Sequence, residues 1–433
     1  RGGGGWGIAA AAAGDFFFFV GLSGRFPHAG DLDAFWTNLR EGRDCIEEVP
    51  TERWDHRQTF DPEPGRPGKS YSRWGGFLSD IDRFDHAFFD LSPRQAVYMD
   101  PQERLLLQEV WHAYEDAAIP RRDLAGRAVG VYVGVMYAQY ELWGVGATPY
   151  DSQYLGASYA SIANRVSHVF DLRGPSLALD SMCSSSLTAL HLAAEALRAG
   201  RIDAAIVAGV NLTLHPKKHV DLSQGRFAAT AGRCRSFGAG GDGYVPGEAV
   251  VVALLKRVAD AERDGNRIWA AVRGTAVSHG GRTNGYTTPN PEDQTRVMRA
   301  AMADAGVQPE EVSYVEAHGT GTALGDAIEA RSLAAALAAS AGSSRPGPCA
   351  VGSVKSNVGH CEAAAGLVGV AKTILQLHHG QLVPSLHAEP LNPTLVLPED
   401  ILHIQRERTV WAPAAVDRSR LAGVSSFGAG GTN

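Results

Sequence analysis

Short, nearly unbroken apolar runs punctuate this chain at residues 129–135, 204–210, 249–255, 268–272, 313–317, 350–354 and 421–425. Runs of that length, bounded by glycine or polar residues, read as buried strands. A further short run at 176–179 leads into Asp180, and an early strand ends at Val20-Gly-Leu-Ser-Gly-Arg25 in a glycine turn. Between the runs, apolar residues fall at helical spacing. Asp31 caps a helix through Leu39, and Asp100-Pro101 opens one through Leu107, Val110 and Tyr114. Leu187, Leu190, Ala194 and Leu197 mark one face of another, and further helices are predicted near 293–305, 326–339 and 363–378. Residues 46–80 carry prolines, arginines and aromatics without a period, as expected of an ordered surface excursion. Strands alternating with helices imply a layered α/β architecture. No linker interrupts 200–300, so one body with two halves is expected, about 20–260 and 261–433.

Composition narrows the function. The chain has 433 residues, 44% hydrophobic and 20% charged, with a net charge of −7. That balance suits a globular protein and argues against nucleic acid as a partner. No apolar run reaches membrane-spanning length, so no membrane partner is expected. Five cysteines (Cys45, Cys183, Cys234, Cys349, Cys361) are scattered without a CxxC pair. Neither a disulfide framework nor a metal site is indicated, and a cytoplasmic setting is expected. Residues 1–19, rich in glycine and alanine, lack the basic region and cleavage site of a signal peptide and read as an N-terminal linker. The chain stops at Phe427-Gly-Ala-Gly-Gly-Thr-Asn433, a strand and glycine turn, which reads as a fragment of a larger multidomain polypeptide.

Three motifs carry candidate chemistry. In Asp180-Ser-Met-Cys183-Ser-Ser-Ser186 a strand feeds a polar turn and then a helix. A thiol there meets unpartnered helical N–H groups and the positive end of the helix dipole, which favours thiolate. In Glu316-Ala-His318-Gly-Thr320-Gly-Thr322, glycines leave the imidazole accessible, and the threonine hydroxyls could grip an amide-bearing arm. In Lys355-Ser-Asn357-Val-Gly-His360 a second histidine follows a strand. Lys355 is expected to pair with Glu329 and so position the histidines. Ligands bind at the C-terminal ends of strands in open α/β sheets. A hydrolase needs one histidine with an orienting acid or amide. Two imidazole donors beside a thioester on cysteine suit a developing enolate oxygen, the demand of decarboxylative carbon–carbon bond formation.

These motifs, in this order and at this spacing, resemble the ketosynthase domain of modular type I polyketide synthases, within the thiolase-like condensing enzymes. The resemblance runs from about Val20 to Asn433. It implies a thiolase-like layered αβαβα fold with two pseudo-equivalent halves. It implies that Cys183 takes an acyl chain from an acyl carrier protein, and that His318 and His360 promote malonyl decarboxylation, supported by Lys355 and Glu329. It further implies that Thr320, Thr322, Asn357 and Phe427 meet substrate or the phosphopantetheine arm. The backbone N–H groups of Cys183 and Ala429 would form the oxyanion hole. No cofactor is expected on the domain itself, since the phosphopantetheine belongs to the carrier, and a homodimer is implied. Met182, His215-Pro-Lys-Lys218, Ser223-Gln-Gly-Arg-Phe227 and His279-Gly-Gly-Arg-Thr-Asn-Gly-Tyr286 are similar to the trans-acyltransferase branch, in which a separate acyltransferase supplies malonyl groups. The alternatives are a non-elongating domain that only passes acyl chains, and a thiolase or acyltransferase using coenzyme A. Gly238-Ala-Gly-Gly-Asp-Gly243 matches a dinucleotide fingerprint but precedes a strand rather than following one, so it reads as a loop near the site.

Overall fold

A computed structural model of the chain describes residues 16–143, 158–339, 345–412 and 419–433. The first sheet contains β1 (Phe17–Arg25), β2 (Val129–Gly134), β3 (Ser176–Leu179), β4 (Ala204–Asn211), β5 (Ala249–Arg257) and β6 (Ala270–Val272). Its order is β3-β2-β4-β5-β1-β6. The pairs β2–β3 and β2–β4 are parallel, while β5 runs antiparallel to both β4 and β1. The second sheet is parallel throughout. It contains β7 (Tyr314–Glu316), β8 (Cys349–Gly352), β9 (Leu402–Ile404) and β10 (Ala422–Val424), in the order β9-β8-β7-β10.

Helices form the remaining layers. Outside the first sheet lie α1 (Pro101–Asp116) and α2 (Tyr159–Phe170). Between the sheets lie α3 (Ser185–Arg198) and α4 (Ala365–His379); α4 touches strands of both sheets. Beyond the second sheet lie α5 (Pro291–Asp304) and α6 (Ala323–Leu337), whose apolar side chains pack with Val315, Val351 and Leu402. This is the expected αβαβα layering. It explains the unbroken apolar runs. In β4, Ala205 and Val207 face the central helices, while Ala204, Ile206 and Ala208 face α1 and α2. With both faces covered, the strand is apolar from Ala204 to Val210, and its one polar residue, Asn211, stands at its end. The central helix α4 is buried from Ala365 to Gln376, which accounts for its alanines and glycines.

Two expectations about the N-terminal region change. Phe17–Phe19, assigned to the linker, belong to β1 and lie in the core, with Phe17 2% exposed. Residues 1–15 lie outside the described residues. The segment Val20–Arg25, read as a strand ending in a glycine turn, is strand throughout, with an irregularity between Phe19 and Gly21. Gly21 serves packing there: a Cβ would lie 2.4 Å from the Ala113 carbonyl oxygen on α1. Among the described residues no helix is long and apolar enough to cross a membrane.

Candidate functional site

Cys183 stands where β3 passes into α3. The turn bends through Met182, which holds a left-handed φ of 58°. A side chain in that conformation costs about 1 kcal/mol or more, so neighbours must hold it. The Met182 N–H donates to Asp180 Oδ1 at 2.8 Å, and Ser185 Oγ donates to the Met182 carbonyl at 2.5 Å. Ser426 Oγ donates to the Cys183 carbonyl at 2.5 Å, locking the C-terminal loop onto the turn. The result is a thiol only 6% exposed at the start of the central helix.

Burial decides its protonation. It pushes the thiol up to about 12, and Glu362 adds to the rise. Lys355 and the backbone N–H groups of Ala429 and Cys183 pull the other way without prevailing. Desolvation thus opposes the thiolate that the helix start was expected to favour.

His318 follows β7. Its own N–H and that of Gly319 donate to the two carboxylate oxygens of Glu329 on α6, each at 2.7 Å. Among the described residues no ion pair joins Glu329 to Lys355, contrary to expectation. Adjacent backbone donors satisfy the carboxylate instead, and Lys355 acts on it only as a nearby charge. His360 lies between a short helical turn (Lys355–Val358) and α4. Its N–H donates to the Val245 carbonyl at 2.7 Å.

Both rings are oriented by the backbone. The Phe427 N–H donates to His318 Nδ1 at 3.3 Å, and the Glu362 N–H donates to His360 Nδ1 at 3.0 Å. A nitrogen that accepts in this way carries no proton, so each neutral ring is protonated at Nε2. Burial, with Lys355 helping, pushes both histidines well below the usual imidazole range and keeps them neutral. The rings stand 5.3 Å apart at 84°. The Cys183 sulfur and a nitrogen of each ring lie within 4.8 Å of one another. His360 Nε2 is buried with no hydrogen-bond partner. A buried N–H donor without an acceptor therefore stands beside the thiol.

The other predicted site residues divide. Thr320 and Thr322 are half-buried, with hydroxyls 3.1 Å apart. Phe427 is buried with its ring 5.7 Å from that of His318. Asn357 departs from expectation. It is fully buried, its side-chain amide donates to the Arg43 carbonyl, and its own carbonyl accepts from Cys45 N–H. It anchors a neighbouring loop rather than offering a face to substrate. The glycine loop 238–243 packs against neighbouring backbone; a Cβ at Gly241 would lie 2.2 Å from the Gly321 carbonyl oxygen. Cys361 faces away from the site, with its sulfur toward the Glu248 carbonyl at 3.7 Å.

Sequence reasoning assigned no role to two buried ion pairs beside the site. Glu316 pairs with Lys372 at 2.8 Å and accepts from the Val354 N–H at 2.6 Å. Glu362 pairs with Lys218. Partners 56 and 144 positions apart leave no periodic trace, although Lys218 and Glu316 sit in motifs quoted above.

A nucleophile faced by two Nε2–H donors, on a thiolase-like fold, defines a condensing-enzyme site. The description "Beta-ketoacyl synthase, N-terminal domain" matches residues 18–261, and "Beta-ketoacyl synthase, C-terminal domain" matches 269–389. The chain belongs to the beta-ketoacyl synthases. It is 54% identical over 415 residues to polyketide synthase ThaG of Burkholderia thailandensis, covering 96% of this chain and 7% of that protein. It is 49% identical over 434 residues to polyketide synthase PksL of Bacillus subtilis, covering 96% of this chain and 9% of that protein. The chain thus spans less than a tenth of these curated relatives. Among solved structures it matches the oxazolomycin ketosynthase domain OzmH KS7 of Streptomyces albus, with TM-score 0.93 and 50% identity, covering 97% of this chain and 74% of that one. It also matches the ketosynthase from module 6 of the bacillaene synthase of Bacillus subtilis, with TM-score 0.89 and 38% identity, covering 97% and 71%. The domain is a ketosynthase of the polyketide synthase kind, an acyl-transferring enzyme that forms carbon–carbon bonds.

Proposed function

We propose that the domain elongates a polyketide chain by decarboxylative Claisen condensation. The Cys183 sulfur attacks the thioester of an acyl carrier protein and takes the acyl group. The Cys183 proton leaves with the departing phosphopantetheine thiol. Malonyl carrier protein then enters along the Thr320–Thr322 side and loses carbon dioxide. The resulting enolate oxygen is held by the Nε2–H groups of His318 and His360. The enolate carbon attacks the Cys183 thioester, and the backbone N–H groups of Cys183 and Ala429 receive the tetrahedral oxyanion. Collapse expels Cys183 as a thiolate, which regains a proton from solvent, and leaves a β-ketoacyl carrier protein. The observation that carries this reading is the pair of neutral imidazoles, both tautomers set by backbone N–H groups, beside one buried thiol.

The motif resemblance to the trans-acyltransferase branch supports a separate enzyme as the malonyl source. A homodimer is supported by the resemblance and by β3, an edge strand of the first sheet that leaves Leu177 44% exposed. The test is intact-protein mass spectrometry after acyl carrier protein and then malonyl carrier protein, with Cys183→Ala alongside. Acyl mass on the wild type alone, followed by a β-ketoacyl chain on the carrier, is the expected result. Loading without extension would replace this reading with acyl transfer alone. Stable acyl mass on Cys183→Ala would remove Cys183 from the mechanism.

A further inference from the structure

The loop carrying His360 rests on a group of buried charges that the reaction above does not use. Glu362 lies two residues beyond His360, its side chain fully buried and its backbone left-handed with a φ of 46°. Its N–H sets the His360 tautomer. Its carboxylate pairs with Lys218, also fully buried, and accepts from the Tyr244 hydroxyl at 3.1 Å. The Lys218 ammonium donates to Asn211 Oδ1 at 3.0 Å and sits 4.3 Å from the centre of the Tyr137 ring. Asn211 in turn donates to the Gly247 carbonyl at 2.7 Å, and the Gly247 N–H donates to the His360 carbonyl at 2.9 Å. The Tyr244 ring stands 4.8 Å from that of His360. A closed circuit of contacts therefore runs from Lys218 to both ends of the histidine.

We propose that Lys218 and Glu362 are a positioning pair for the condensing site: Glu362 holds the left-handed turn that orients His360, and Lys218 cancels the carboxylate's charge where the reaction creates anions. The role rests on the condensing reading, in which a thiolate, an enolate and a tetrahedral oxyanion form in turn beside Cys183. A bare carboxylate in this buried place would oppose each of them. The Glu362 charge already acts on Cys183, as it does on Tyr137 and Tyr244. The other charged or titratable groups acting on Cys183, His360 or Tyr137 are Lys355, His318, Lys218, Asp221 and Asp180. Among these, Lys218 is the one whose ion-pair partner is Glu362.

The charge argument predicts opposite effects from the two halves of the pair. Lys218→Met leaves the carboxylate uncompensated and makes the Cys183 thiolate scarcer. Glu362→Gln leaves the ammonium uncompensated and makes it more abundant. The experiment is alkylation of Cys183 by iodoacetamide at pH 9, followed by peptide mass mapping, on folded protein checked by thermal melting. Because a shift of one pH unit changes the thiolate fraction about tenfold, Lys218→Met is expected to react roughly tenfold slower than wild type. Glu362→Gln is expected to react several-fold faster, and the double variant to return toward wild type. Lys218→Arg, which keeps the charge, restores the rate. Unchanged rates in both single variants, or slowing in both, would overturn the proposal, the second because it signals distortion rather than charge. If Lys218→Met does not fold, the near-isosteric Glu362→Gln decides alone, since acceleration supports the pair and any other result refutes it. Alkylation needs no carrier protein, so failure here is separable from failure of the elongation reading.

Discussion

His360→Ala is the perturbation that most directly tests the site's design. In the resting protein His360 Nε2 is buried without a hydrogen-bond partner, and in the proposed reaction it donates to substrate. Its removal takes away one of two N–H groups aimed at the enolate oxygen. Losing a single donor of this type costs about 10²–10³ in rate, or roughly 3–4 kcal/mol of barrier. His318 remains as the second donor, so the loss should not exceed that one-donor range. The assay is a single turnover. Enzyme is first acylated at Cys183, with the adduct verified by intact mass, then mixed with malonyl carrier protein and quenched over time. Extension is expected to fall about 10²–10³-fold, while the prior loading step stays within about threefold of wild type, because loading makes no enolate. His360→Gln should recover about tenfold of the loss, since its amide N–H reaches as far as imidazole Nε2. The reasoning is refuted if acylated His360→Ala extends within about fivefold of wild type. It is equally refuted if loading falls as far as extension.

Three further outcomes follow from the same geometry. Burial holds His318 and His360 neutral well below their ordinary value of 6.5, so extension by acylated enzyme should keep its rate as pH falls through 6.5; an inflection at that pH in single-turnover profiles would contradict it. Burial pushes the Asp326 carboxyl up to about 7, while an unfolded aspartate sits near 3.9, so between about pH 4 and 7 the folded state keeps a proton that the unfolded state has lost. Wild-type stability relative to Asp326→Asn should therefore be highest below about pH 4, fall by up to ~1.4 kcal/mol per pH unit as pH rises to about 7, and be flat above, as measured by denaturant titration at several pH values. A Cβ at Gly134 would lie 2.6 Å from Ser186 N and 2.8 Å from the Ser185 carbonyl carbon, so Gly134→Ala must push the start of α3. It should cost about 1–3 kcal/mol in denaturant melts and slow Cys183 loading in parallel.

The alternation of elements was legible because each strand is covered on both faces and each helix start carries its own signal. Asp31 is the cap it was read to be, accepting from Ala34 N–H, and Asp100, read as opening a helix, accepts from Gln102 N–H. The glycines after Val20 misled, since a glycine demanded by the close approach of α1 looks in sequence like one demanded by a turn. That Cys183, His318 and His360 would meet was legible through their positions after strands. Their protonation was not, because the burial that raises Cys183 and lowers both histidines comes from layers far away in the chain. Glu329 shows a further limit. A carboxylate and a lysine invite pairing on paper, yet the N–H groups of His318 and Gly319 lie nearer and already point at it.

Lys355 clarifies why this site suits condensation rather than hydrolysis. Its charge lowers the Cys183 thiol, the Glu329 and Asp326 carboxyls, and both histidines. In a cysteine hydrolase the imidazole takes the thiol's proton and the two stand as an ion pair, which requires the histidine to hold its proton. Here Lys355 and burial act together against imidazolium, so that pair is suppressed from the histidine side. The same positive charge favours any anion formed nearby. With both histidines held neutral, there is no imidazolium to stand as an ion pair with a thiolate. On the elongating reading proposed above, such a site exchanges one thioester for another and then holds an enolate between two neutral N–H donors until the new bond forms.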